Sequence, residues 1–180
     1  MKKEIYIHFQ KIFKERRSRD MNIFETTSFN DIPVKNPWKD TPVENYYYLS
    51  PSAKGSKAED IVKTILKELG HDVKNRINSG HDCIIDGVKT EIKFGLATDR
   101  NYDYETIFNH IGFGKDWDQI LFVCINGDGN ITSAMYTKNN FPWDAIHRQQ
   151  GGTSGGNDDF MIAGKNSYNI LFNENAIKLI

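Results

Sequence analysis

At 180 residues, 38% apolar and 12% aromatic, the chain is long enough to bury one substantial core and short for two full domains. Its 23 basic and 24 acidic residues nearly cancel, which excludes a global positive field for capturing a polyanion, so nucleic-acid contacts would have to come from local patches. The polar start Met1-Lys2-Lys3-Glu4 and the want of a long apolar run argue against a signal core or a bilayer span, so a soluble, cytoplasmic protein with no membrane partner is expected.

Over residues 4–19, Ile5, Phe9, Ile12 and Phe13 recur at helical spacing and Lys14, Arg16, Arg17 and Arg19 close the segment, which predicts an amphipathic helix with a basic end. Across 26–50 the periodicity lapses. Pro33, Pro37 and Pro42 interrupt the stretch and Trp38, Tyr46, Tyr47 and Tyr48 accumulate, as expected of an irregular wrap packed on a core. Ala58, Ile61, Val62, Ile65, Leu66 and Leu69 then mark the apolar stripe of a second helix, with Gly70 as its stop. Strand patterns follow at 71–77, 82–85 and 88–94, and the last two flank Asp86-Gly87, a dipeptide favoured in two-residue hairpin turns. Residues 119–125 form a continuous apolar run typical of a central strand. After it come a turn cluster at 126–130, a strand at 131–136, a glycine-rich loop at 151–156 and a last strand or helix near 168–172. Cys83 and Cys124 lie inside apolar runs, where free buried thiols are expected. This order predicts an α/β or α+β fold in which helices cover a sheet.

With Asp86-Gly87 as a two-residue turn, Ile85 faces Val88, Ile84 faces Lys89, Cys83 faces Thr90 and Asp82 faces Glu91. Strand side chains alternate, so Lys93 shares the face of Glu91. Like charges set opposite each other on a sheet are destabilising, and a bound cation would remove the conflict. Two carboxylates with the backbone carbonyl of Ile92 suit a hard divalent ion such as magnesium, with manganese as a substitute. Phosphodiesters are the natural substrate of such a centre. The ion polarises a phosphate oxygen and acidifies a bound water, and a lysine positions that water or stabilises the developing charge. The plainer reading is an exposed hairpin face on which Lys93 offsets Glu91.

The pattern of Asp82, eight intervening residues and Glu91-Ile92-Lys93 resembles the PD-(D/E)xK nuclease superfamily over about residues 55–125. The resemblance implies a restriction-endonuclease-like mixed central sheet flanked by helices, with Asp82 and Glu91 as metal ligands and Lys93 as the water-orienting group. It also implies Glu59 as an acid beside the metal or on a second one. His81 stands where the name pattern has proline. Glu59 equally completes Ser56-x-x-Glu59, a capping box at a helix start, and both readings stay open. His81 is either a surface or supporting histidine or a contact to the scissile phosphate. Asp86 serves the turn rather than a metal.

Base edges are read mainly by Arg, Lys, Asn and Gln, which makes Arg148, Gln149, Gln150 and Asn157 the first candidates for DNA readout. Arg100, Asn101, Asn109 and His110 follow as candidates near the scissile strand, with ordinary solvated loops as the plainer reading. The glycine loop 151–156 lacks the Gly-Lys-Ser/Thr ending of a phosphate-cradling loop, and no Cys/His cluster has zinc spacing. We therefore expect a single nuclease domain. Residues 1–50 would supply a helix and wrap, 55–125 the catalytic core, and 126–180 C-terminal strands and a recognition loop. The expected activity is magnesium-dependent, site-specific cleavage of double-stranded DNA by a homodimer, as in type II restriction enzymes. The alternatives are a structure-specific nuclease, such as a junction resolvase or repair nuclease, and a non-catalytic DNA-binding subunit. Near-neutral charge favours the sequence-specific reading over these.

Overall fold

The computed structural model describes residues 38–39, 44–97, 104–112, 114–126, 130–148 and 160–179. The helix expected over 4–19 and the loop 151–156 lie outside them. A short helix, α1 (Glu44–Tyr47), corrects the reading of 26–50 as wholly irregular, while Trp38 and Tyr46 are buried in the core as that reading required. The long helix α2 (Pro51–Glu68) starts where the Ser50 hydroxyl accepts the Ala53 N–H at 3.3 Å and Pro51 pre-sets the first turn. It stops where Gly70 takes φ +93°, a conformation that costs a glycine little.

The strands are β1 (Val73–Asn75), β2 (Cys83–Ile85), β3 (Val88–Leu96), β4 (Ile107–Ile111), β5 (Gln119–Ile125), β6 (Ile131–Thr137), β7 (His147–Arg148) and β8 (Phe160–Ala163). A final helix, α3 (Lys165–Phe172), resolves the strand-or-helix choice at 168–172. Five strands form a central mixed sheet in the order β1-β2-β3-β5-β6, in which β3 and β5 are parallel and the other neighbours antiparallel. A second, antiparallel sheet has the order β4-β8-β7. Among the described residues no helix is long and apolar enough to cross a membrane.

Every residue of β5 is buried, as its continuous apolar run anticipates, because both faces of the central sheet are covered. Leu121 and Val123 pack with Ile92, Cys83 and Ile85 against Val62 and Leu66 of α2. Ile120, Phe122 and Cys124 point the other way, into a larger core with Phe108 and Ile111 of β4, Ile162 of β8 and Ile170 and Leu171 of α3. Phe122 is the hub of that side, with ring centroids 4.9 Å from Phe108 and 5.9 Å from Phe141. Cys83 and Cys124 are free and buried.

The two sheets approach closely at one point. Thr106, just ahead of β4, donates its hydroxyl to the Leu96 carbonyl at 2.6 Å and lies against Gly95 of β3. A methyl at residue 95 would come within 2.8 Å of Thr106 Cγ2 and nearer still to its Oγ1. Gly95→Ala should therefore destabilise the fold by about 2 kcal/mol, which for a chain of this size lowers the melting temperature by roughly 4–8 °C. An unchanged thermal melt would show that the sheets separate without cost.

Candidate active site

The hairpin forms with the expected register: Ile85 opposite Val88, Ile84 opposite Lys89 and Cys83 opposite Thr90. Asp86 and Gly87 both have positive φ, 51° and 85°, as a type I′ turn requires. Both Asp86 oxygens are occupied, one by His71 Nδ1 at 2.7 Å and one by the Asp72 N–H at 2.9 Å, so this acid clamps the turn to the end of α2.

The fourth pair, Asp82 with Glu91, is corrected. The Asp82 N–H bonds to the Thr90 carbonyl at 3.0 Å, so the ladder ends there with Asp82 and Cys83 sharing one partner residue. The Asp82 carboxylate then reaches forward, and its Oδ2 accepts the Ile92 N–H at 2.7 Å. A strand residue sends its N–H and C=O to the same side, so the Ile92 carbonyl leaves β3 on the edge where Asp82 lies, past the last paired residue of β2.

Glu91 is 3% exposed on the opposite face of β3 from Ile92. Its Oε1 accepts from Lys93 Nζ at 2.8 Å and from Lys115 Nζ at 2.7 Å. Lys115 comes from the turn before β5 and has no place in the sequence pattern. Its turn is tied by side-chain contacts. Lys138 donates to the Lys115 carbonyl at 2.8 Å and lies over the Trp117 ring, while Asp116 is bound by Lys89 and Asn78. Because β3 and β5 are parallel, with Thr90 beside Gln119, the turn entering β5 lies beside the start of β3, where Glu91 sits.

The two carboxylates titrate in opposite directions. Burial raises the Glu91 pKa, but Lys93 and Lys115 outweigh it and hold the group below the ordinary glutamate value. At Asp82, burial and then the Glu91 charge raise the pKa, and Glu59 adds to the rise. The Ile92 N–H and Lys93 oppose this without cancelling it. Burial pushes the Cys83 thiol up to about 12, so it is no nucleophile.

Glu59 is no helix cap. Its helix begins at Pro51, and its carboxylate pairs with Lys63 at 3.2 Å while lying near enough to act on Asp82. His81 is not at the surface: it is 1% exposed, and among the described residues neither ring nitrogen has a hydrogen-bond partner. Asn109 and His110 are exposed in an irregularity of β4, with His110 at φ 57°. Their neighbour Phe108 meets Phe122, the residue that pairs with Lys93, edge to face. Arg148 is exposed on β7, opposite Phe160. Arg100, Asn101, Gln149, Gln150 and Asn157 lie outside the described residues.

The donor set fits a magnesium-type ion. Asp82 and Glu91 each have one oxygen engaged and one without a hydrogen-bond partner among the described residues, and the Ile92 carbonyl adds a third hard ligand atom. Among the described residues no group of three or more His, Cys, Asp or Glu is placed to hold a metal ion. No family model matches the chain, and neither does any curated protein.

The opposed pKa shifts give opposite stability effects. Asp82, raised, favours the fold below the ordinary aspartate pKa and loses that contribution as pH rises through its folded value. Asp82→Asn, whose Oδ1 still accepts the Ile92 N–H, should match the parent in acid and exceed it by about 1 kcal/mol at neutral pH. Glu91, lowered, contributes stability above the ordinary glutamate pKa and loses it as pH falls through its folded value. Glu91→Gln should therefore be less stable by about 2 kcal/mol at neutral pH, with the gap closing in acid. Denaturant melts across pH check both signs; a destabilised Asp82→Asn at neutral pH would contradict the assignment.

Proposed function

We propose that the protein is a magnesium-dependent endonuclease that cuts double-stranded DNA at specific sites, in the manner of type II restriction enzymes of the PD-(D/E)xK superfamily. The observation that carries this reading is the convergence, at the open end of one hairpin, of Asp82, buried Glu91, the Ile92 carbonyl and the Lys93 ammonium. Asp82 is held there against its own electrostatic preference, as expected where a group is retained for chemistry rather than for stability. The mixed five-stranded sheet supports the same reading, since it sets the motif strand β3 beside a fully buried parallel strand.

In this reading Asp82, Glu91 and the Ile92 carbonyl hold the ion, which when bound polarises the phosphodiester and lowers the pKa of a ligated water. Lys93, held by Glu91 at 2.8 Å, would stabilise charge developing on the phosphate. Glu59, near Asp82, tunes the carboxylate, and with Oε2 paired to Lys63 it would turn its other oxygen to the ion. Among the candidates for DNA contact, Arg148, Asn109 and His110 are exposed. Working as a homodimer would give each subunit one strand to cut.

Purified protein incubated with long, diverse, unmethylated DNA should give discrete fragments in magnesium and none in EDTA. Lys93→Ala should lower the rate by about two to three orders of magnitude. A smear, or cleavage confined to branched DNA, would favour a structure-specific nuclease. Intact DNA under every condition would overturn the proposal in favour of a non-catalytic DNA-binding role.

A further inference from the structure

We propose that Lys115 is a second functional cation of this centre: it neutralises Glu91 while the metal is absent, and when a divalent ion binds it swings to a DNA phosphate. The inference rests on the nuclease reading and extends it to a residue outside the resemblance.

Three observations carry it. One carboxylate oxygen, Glu91 Oε1, accepts from two ammonium groups, at 2.7 Å from Lys115 and 2.8 Å from Lys93. A dication on the same carboxylate would bring four positive charges together, and like charges at such distances repel strongly in a partly buried site. One ammonium must yield. Lys93 is the less able to leave, since its side chain is 12% exposed against 36% for Lys115. Lys115 also has a fixed pivot. Its carbonyl is held by Lys138, Asp116 beside it is locked by Lys89 and Asn78, and the Asp118 N–H is bound to the Lys89 carbonyl. Departure therefore requires only rotation of a four-carbon side chain, with no refolding of the turn. The phosphate that accompanies the ion supplies a new anionic partner at the same mouth.

The consequence is a metal-dependent role for one lysine. Lys115→Gln should bind a mixed-sequence duplex in EDTA about as well as the parent, because the parent's lysine is committed to Glu91. In calcium, which supports binding without cutting, the variant should be weaker by about three- to tenfold, and the slope of log affinity on log salt should be shallower by about 0.9. Equal losses in EDTA and calcium, or no loss in either, would overturn the inference while leaving the nuclease reading intact, provided calcium strengthens parental binding through Asp82. If calcium does not strengthen parental binding, the metal site itself is wrong and both readings fall. Thermal melts of Lys115→Gln and Lys115→Met establish that the comparison is between folded proteins.

Discussion

The contact on which the centre depends is the 2.7 Å bond from the Ile92 N–H to the Asp82 carboxylate. A backbone donor on a strand would ordinarily be satisfied by the neighbouring strand, and leaving it buried and unpaired costs about 1–3 kcal/mol. Here the β2 ladder ends at the Cys83–Thr90 pair, short of any residue whose carbonyl could meet Ile92, and a side chain takes its place. That substitution fixes Asp82 at the sheet edge. It orients one carboxylate oxygen along β3 and leaves the Ile92 carbonyl outside the ladder. The type I′ turn at Asp86-Gly87 sets the register that makes the reach possible, and the clamp of Asp86 on His71 and Asp72 ties that turn to α2.

Around this contact the charges are nearly balanced. Asp82, Glu91 and Glu59 supply three negative groups, and Lys93, Lys115 and Lys63 supply three positive ones. Balance alone would make a structural cluster, yet the distribution is uneven. Glu91 has two lysines and a depressed pKa, whereas Asp82 has a backbone donor and two acidic neighbours and a raised one. The negative potential is thus concentrated at the Asp82 and Ile92 edge, and the positive groups lie on the Glu91 face. Under the proposed nuclease reading, that separation would let a cation and an anionic substrate lie side by side.

Much of this was legible in the sequence because it rests on local rules. Asp86-Gly87 specifies its turn, the alternation on either side specifies which residues pair, and the unbroken apolar run of β5 specifies a strand buried on both faces. The errors have physical causes. Ser56-x-x-Glu59 has the form of a capping box, but Ser50 followed by Pro51 offers an earlier start and the helix takes it. Strict hairpin extension placed Asp82 opposite Glu91, whereas the second Thr90 carbonyl bond ends the ladder. In β4 the irregularity at Asn109 and His110 breaks the period of two that marks a strand. Lys115 lies 24 residues from Glu91, and only the parallel pairing of β3 with β5 brings them together. A lysine in the turn ahead of a central strand was the available signal, and it acquires meaning only once that pairing is known.

The most direct test of the central claim is a calorimetric titration of manganese into the DNA-free protein, with Asp82→Ala alongside. Asp82 and Glu91 as ligands require a saturable binding event in the parent that disappears in the variant while both remain folded. No binding by the parent, or binding that survives the loss of Asp82, would contradict the account at its root.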